Sequence, residues 1–316
     1  MELSWLKPLI ESWQSSQSQG RPPHAVMLTG TPGSGKRAAA AWLARSRLGI
    51  AGGSAMPEYP WTIPEHADLR WITPPEDKHA IGIDQIRELV SEISLTSYQG
   101  GGKVAVIDPA DAMTTNAANS LLKTLEEPPG DTLLVLVVDR PGRLPATIVS
   151  RCQRMNIRVP AEQDGMAWLQ RFQAGANWAK VLREAGYAPL AAVEGMARLG
   201  DTQQMASDFA ALAAGREAPL QVAARWSKHD PQFVLGWLGR QVQMCISKAT
   251  NGASAGDSAA VGDSVLERID RRKMFCYLDI INRLRSQPAG SFNVQLTLEC
   301  LLIDWAERLE SPLGIE

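Results

Sequence analysis

The chain has 316 residues, 45% of them hydrophobic, with four cysteines and a formal net charge of −2. At roughly 100–200 residues per domain, that length fits two or three domains with sizeable cores. The near-neutral charge excludes a globally basic, stand-alone nucleic-acid binder, so any contact with DNA has to come from a local patch or through partners.

The N-terminal stretch Met1–Trp13 carries Glu2 and Ser4 and lacks the basic start and apolar run of a secretory signal. No segment reaches about 18 uninterrupted apolar residues, so no membrane span is expected. These features predict a cytoplasmic protein. His24–Thr29 (HAVMLT) is a short apolar run ending in glycine and reads as a strand. Arg37–Leu48 has helical composition, and Gly49–Pro75, broken by Gly and Pro, reads as an irregular insertion. Asp84 is placed to cap a helix whose buried face is Ile86, Leu89, Val90 and Ile93, at the i, i+3, i+4, i+7 spacing. Lys103–Asp108 (KVAVID) is a second buried strand. Thr114 is placed to cap the helix through Ala117, Leu121, Leu122 and Leu125, which Pro128-Pro129 stops. Leu133–Val138 (LLVLVV) is a continuous apolar strand, as expected when helices cover both faces of a parallel sheet. Strand–helix alternation of this kind predicts an α/β doubly wound domain.

After about Pro160 the β-branched runs end and Ala, Leu, Trp, Gln and Arg dominate. Helices are expected over Met166–Ala174, Ala179–Ala185, Leu190–Leu199, Thr202–Ala214, Pro231–Lys248 and Val265–Arg285. A last helix places Leu298, Leu301, Leu302, Trp305 and Leu309 on one stripe, which suits either a private core or an oligomer contact. Ala249–Asp263 is small, polar and glycine-rich and reads as a flexible loop. Trp168, Trp178, Trp226, Trp237 and Trp305 are scattered. A base-stacking platform would need such rings clustered on a basic surface, so they read as core and interface anchors.

The chemistry concentrates in Gly30-Thr-Pro-Gly33-Ser-Gly35-Lys36, which follows a strand and opens a helix. In that context the glycines let backbone N–H groups close on phosphates, the helix N-terminus favours negative charge, and Lys36 reaches the terminal phosphates. The next position, Arg37, stands where Ser or Thr would ligate Mg²⁺, and a guanidinium has no oxygen to offer. Asp108 ends its strand where a metal-binding carboxylate belongs, although an ordinary strand-end carboxylate reads the same way. Pro109 follows where a hydrolytic enzyme would place Glu, and Asp111 is a poor substitute. Cys152, Cys245, Cys276 and Cys300 form no CxxC pair, which argues against a metal or disulfide framework.

Two further segments, Asn119–Pro129 (NSLLKTLEEPP) and Ser150-Arg151-Cys152, carry a family signal. With the P-loop they make the chain resemble the clamp-loader branch of the AAA+ ATPases, clearly over the first half and by size and order over the helical remainder. The resemblance implies a RecA-like α/β P-loop domain over residues 1–160, a small helical lid over 161–200 and an all-α collar over 201–316. It implies a pentameric ring with other loader subunits, motor and delta-type, acting on a sliding clamp and primed DNA. It implies that Arg151 projects onto a neighbour's γ-phosphate as a finger. Read alone, without the resemblance, Arg151 reads first as an arginine making a local salt bridge or cap.

Motor members of that branch keep GKT or GKS, a DE pair, a polar sensor and a second sensor arginine. Here Arg37, Pro109, Val138 at the sensor position and an arginine-free Gly186–Ala192 depart from each. A degenerate nucleotide site at Gly30, Gly33, Gly35, Lys36, Arg37 and Asp108 is therefore expected, with no cofactor required and ATP binding left open. The family's four-cysteine zinc module would fall in Gly49–Pro75, which has no cysteine, so no zinc is expected. The rival readings are an active ATPase motor, an ATP-binding switch without hydrolysis and a small-molecule kinase. Turnover and equilibrium ATP binding separate the first two, and the third leaves the LEEPP and SRC segments unexplained.

Overall fold

The computed structural model describes residues 1–20, 22–50, 55–75, 78, 80–98, 100, 102–251, 270–287 and 292–307. The chain divides into two compact units, Met1–Ala197 and Arg198–Glu316.

The first unit is built on strands β1 (Ala25–Gly30), β2 (Leu69–Ile72), β3 (Lys103–Ile107), β4 (Thr132–Val137) and β5 (Gln153–Ile157). They form one five-stranded sheet in the order β2-β3-β4-β1-β5, and every pairing is parallel. β3 and β4 are buried along their whole length, because helices cover both faces. The period of two then sorts the side chains. Leu133, Val135 and Val137 face helix α2 (Lys36–Leu48), together with Val26, Leu28, Val104 and Val106. Leu134, Leu136 and Val138 face helices α3 (Ile83–Ile93) and α4 (Thr115–Glu126), together with Ala25, Met27, Ala105 and Ile107. The run of alanines in α2 is buried from Ala38 to Ala41 and again at Ala44, which lets that helix lie close on the central strands. Helix α5 (Ala146–Val149) is a single turn leading into β5.

Helices α6 (Glu162–Phe172), α7 (Trp178–Glu184) and α8 (Pro189–Ala197) add Trp168, Leu169, Trp178, Val181, Leu182 and Leu190 to the core on the α2 face. N-terminal helix α1 (Lys7–Ser18) adds Ile10 and Trp13. The segment between α2 and β2 holds two remote parts together. Leu3 N donates to Pro57 O at 2.8 Å and Tyr59 N to Met1 O at 2.9 Å. The Tyr59 ring meets Trp168 of α6 edge-on at 6.1 Å, Trp61 stacks on Trp71 at 5.7 Å, and Trp168 Nε1 donates to Glu2 O at 2.8 Å.

Several boundaries differ from the sequence expectation. The α3 cap is Gly82, not Asp84: the helix starts at Ile83, and Gly82 N donates to Gln85 Oε1 at 3.1 Å. Asp84 lies in the first turn, where its charge favours the helix dipole. Thr114 does cap α4, accepting from Ala117 N at 3.2 Å. The insertion contains β2, too short to signal itself between prolines. Polar edge strand β5 and helix α1 were not expected at all.

The second unit consists of α9 (Leu199–Ala213), α10 (Pro219–Trp226), α11 (Pro231–Asn251), α12 (Arg271–Ser286) and α13 (Val294–Ala306). Its core stacks Phe209 on Trp305 at 4.3 Å and sets Trp226 edge-on to Trp237 at 5.5 Å. Leu298, Leu301, Leu302 and Trp305 are buried inside this core, so that stripe is core packing and is no evidence for an oligomer contact; Leu309 lies outside the described residues. Trp168, Trp178, Trp226, Trp237 and Trp305 are all buried. Buried Asp208 accepts from Arg225 Nη2 at 2.9 Å, Trp226 Nε1 at 3.0 Å and Gln204 Nε2 at 2.9 Å, tying α9 to α10. The expected loop over Ala249–Asp263 begins in helix, through Asn251, and its remainder lies outside the described residues. Of the expected helix Val265–Arg285, the part from Arg271 is helical and 265–269 lie outside.

Candidate nucleotide site and arginine finger

Parallel strands put their carboxyl ends on one edge of the sheet, so the loops after β1, β3 and β4 open side by side. The β1 loop is Gly30–Lys36. A Cβ at Gly30 would stand 2.3 Å from Ile157 O, and one at Gly33 would stand 2.3 Å from Ala191 N. Only glycine permits either approach. Gly35, with φ of 101°, is the N-cap of α2. The loop is roofed by the start of α8, where Leu190 N donates to Gly33 O at 3.3 Å. The segment expected to lack a second sensor arginine is thus the one in contact with the P-loop, and it presents a leucine and alanines.

Lys36 is turned inward. Its side chain is 4% exposed, and its ammonium contacts Asp139 Oδ1 at 2.9 Å, Gly30 O at 2.7 Å and Thr31 O at 3.2 Å. An ammonium has three N–H groups; the two carbonyls accept hydrogen bonds from it, and Asp139 pairs with its charge. Arg37 Nε reaches both oxygens of Asp108, at 3.0 and 2.9 Å, while Nη2 lies 3.9 Å from Asp139 Oδ2. A fixed organic cation therefore stands between the two strand-end carboxylates. Burial raises the Asp108 carboxyl above its ordinary value and Asp139 adds to the rise, while the adjacent Arg37 opposes it. For Arg37, desolvation pulls its pKa down, but Asp108, Asp139 and Glu194 of α8 outweigh it and hold the guanidinium charged.

The structure brings Gly30, Gly33, Gly35, Lys36, Arg37 and Asp108 together. Val138, the expected sensor, points elsewhere: it is buried against α3 and α4, and its N–H donates to Leu28 O at 2.9 Å. The residue at the site is Asp139, whose N–H donates to Asp111 Oδ1 at 2.8 Å. Period-two counting held the signal, since residue 139 shares the face of Val135 and Val137, which is the α2 side. Asp111 thereby ties the β3 and β4 loops together.

Arg151 lies away from this cluster. β5 pairs with β1 in the register Val26↔Gln153 to Gly30↔Ile157. Arg151, preceding β5, is therefore at the amino edge of the sheet, about 13 Å or more along the strands from the P-loop. Its Nε donates to Glu126 Oε1 at 2.9 Å and its Nη1 to Thr147 O at 2.9 Å. Cys152 is buried, and burial pushes its thiol up to about 11. Cys245 is buried on α11, while Cys276 on α12 and Cys300 on α13 are partly exposed. Among the described residues no helix is long and apolar enough to cross a membrane.

A family model described as "DNA polymerase III, delta subunit" matches residues 5–161. The chain is 31% identical to DNA polymerase III subunit delta' of Pseudomonas aeruginosa, over 93% of this chain and 95% of that one. It is 39% identical to the subunit delta' of Bacillus subtilis, over 49% of this chain and 50% of that one. Among solved structures, a gamma subunit-related protein of Thermotoga maritima superposes with a TM-score of 0.55 at 20% identity, covering 98% of this chain and 99% of that one. That last likeness supports the fold alone. Taken with the α/β sheet domain and the helical region after it, the near full-length match establishes that the chain belongs to the DNA polymerase III delta-prime subunits of the clamp-loader family.

Proposed function

We propose that the protein is the stator and arginine-finger donor of a DNA polymerase III clamp loader, one that completes a neighbour's ATP site and does not turn over ATP itself. The observation that carries this reading is the separation of its two cationic centres. Arg151 stands at the amino edge of the sheet, opposite its own P-loop at the carboxyl edge. From there it is placed to meet phosphates held by another subunit and not its own. A planar, permanently charged fork suits phosphate oxygens, and a finger of this kind contributes about 10³–10⁵-fold to hydrolysis.

The P-loop supports the other half of the reading. Lys36 is engaged by two carbonyls and paired with Asp139, Arg37 stands between Asp108 and Asp139, and Pro109 supplies no carboxylate to orient water. The proposed site residues are therefore Arg151 as the finger, with Gly30, Gly33, Gly35, Lys36, Arg37 and Asp108 as a degenerate nucleotide site needing no ATP, metal or zinc. By the same reading, 1–160 is an AAA+ RecA-like domain, 161–200 the lid and 201–316 the collar. The collar would hold the chain in a pentameric ring with motor and delta-type subunits in the cytoplasm. The ring would open the sliding clamp and place it on primed DNA during replication, as part of the polymerase III holoenzyme.

The test is reconstitution of the loader with Arg151→Ala. Assembly is expected to be intact, with hydrolysis at one adjoining site and clamp loading depressed. Unchanged single-site hydrolysis and loading would make Arg151 a structural residue. The intact Gly30–Lys36 loop favours one second reading, an ATP-binding switch, and tight equilibrium binding of a labelled ATP analogue to the isolated chain would support it.

A further inference from the structure

We propose that Glu126, the last residue of α4, is a positioning residue for Arg151; the inference rests on the finger reading above. Its carboxylate Oε1 accepts a hydrogen bond from Arg151 Nε at 2.9 Å and forms an ion pair with Nη2 at 2.5 Å, so one oxygen lies against the side of the fork. From the other side, Thr147 O in α5 takes Nη1 at 2.9 Å, with Ser150 Oγ at a longer 3.4 Å. The end of α4 and the single turn of α5 thus hold the guanidinium between them.

A guanidinium has five N–H groups. Glu126 and Thr147 accept from two of them, a third on Nη1 meets the Ser150 hydroxyl at 3.4 Å, and Nη2 has only its ion pair with Glu126. The Arg151 side chain remains 34% exposed. On this proposal a phosphate oxygen takes the N–H groups on Nη2 while Glu126 keeps its hold on Nε. An unheld arginine has many rotamers, and ordering it at the moment of reaction costs rate. Here the ordering precedes the encounter.

The sequence explains why Glu126 can do this. Pro128 and Pro129 end α4 immediately after the paired glutamates, which fixes where the last-turn side chain emerges. The pair is half exposed, with Glu126 at 50%. An exposed pair of this kind adds little to stability, so Glu126 variants should stay folded and their effect can be read in turnover.

The test uses the reconstituted loader, assembled so that only the motor site facing this chain can hydrolyse ATP. Arg151→Ala, Glu126→Ala, Glu126→Gln and the double alanine variant are compared for kcat, KM and clamp loading, with assembly checked by size-exclusion chromatography. Glu126→Ala is expected to lower kcat about 10–100-fold, the loss typical of a misplaced group, with KM for ATP little changed. Glu126→Gln keeps an oxygen to accept from Nε and should restore most of the rate. The double variant should be no slower than Arg151→Ala. If Arg151→Ala is impaired while Glu126→Ala is not, the positioning role is wrong and the finger reading stands. If the double variant is slower than Arg151→Ala, Glu126 acts on its own and the inference fails. If Arg151→Ala is itself unimpaired, both readings fall together.

Discussion

Arg37 and Arg151 have the same head group and comparable exposure, with side chains 44% and 34% accessible. Their surroundings make them opposites. Arg37 is held by Asp108, whose side chain is 4% exposed, with Asp139 and Glu194 adding to the field. Removing the guanidinium there leaves a buried carboxylate unpaired, which is costly. Arg151 is held by one half-exposed carboxylate and one helix carbonyl, and both can be rehydrated. The burial of the partner decides how firmly each arginine is held. The arginine's own accessibility does not.

The largest expected effect is functional. Arg151→Ala should slow hydrolysis at the adjoining site by about 10³-fold or more, while melting within about 1 kcal/mol of the parent, since the pair it breaks is exposed. Arg151→Lys should be nearly as slow, because a lysine lacks the fork. Single-site turnover in the assembled ring, set beside a thermal melt, checks both halves. A large loss of stability with normal turnover would reverse the comparison.

Next in size is the opposite dissociation at Arg37. Arg37→Ala should destabilise the α/β unit by roughly 1–3 kcal/mol, less than for a fully buried pair because its side chain is partly hydrated. It should leave the neighbour's turnover unchanged. Denaturant titration measures the first effect and the ring assay the second. Arg37→Thr should not create an ATPase: turnover should stay below about 1 s⁻¹, because Pro109 still offers no carboxylate. A rate above that would mean that the missing metal ligand was the only defect.

A pH series sharpens the same contrast. The Asp108 carboxyl titrates above its ordinary 3.8 in the folded chain. The native state therefore favours the protonated form, and this group's contribution to stability falls as pH rises from 3.8 through the folded value, then levels off. Without Arg37 the folded value climbs further and the fall is larger. The stability gap between Arg37→Ala and the parent should accordingly narrow as pH is lowered. A gap that is constant with pH would mean that Arg37 stabilises through packing.

The smallest effect is chemical. Cys152, next to Arg151, and Cys245 have thiols pushed up to about 11 by burial. Their contribution to stability is intact below pH 9 and is lost as pH rises toward 11. In the native protein at pH 8, alkylation should reach the partly exposed Cys276 and Cys300 first. Rapid labelling of Cys152 would show that the segment carrying Arg151 opens readily.

Much was legible in the residues themselves, wherever a local rule suffices. The P-loop announces itself because its glycines are needed for backbone approach, and Gly30 and Gly33 meet Ile157 and Ala191 as such glycines do. β3 and β4 are legible because burial on both faces demands unbroken apolar runs. The Thr114 cap is legible because its partner is only three residues away. β2 and β5 were not: each borrows its stability from a neighbouring strand, and the edge strand β5 alternates polar with apolar residues. Asp139 was within reach of period-two counting, yet its pairing with Lys36 spans more than 100 positions. Glu126 and Arg151 stood in the sequence as two separate motifs, and only the fold places one carboxylate oxygen on the other's fork. Residue type and spacing determined which groups could bind phosphate. Tertiary structure decided which of them are already neutralised, because a charge's partner is set by which elements pack together, and no local pattern encodes that.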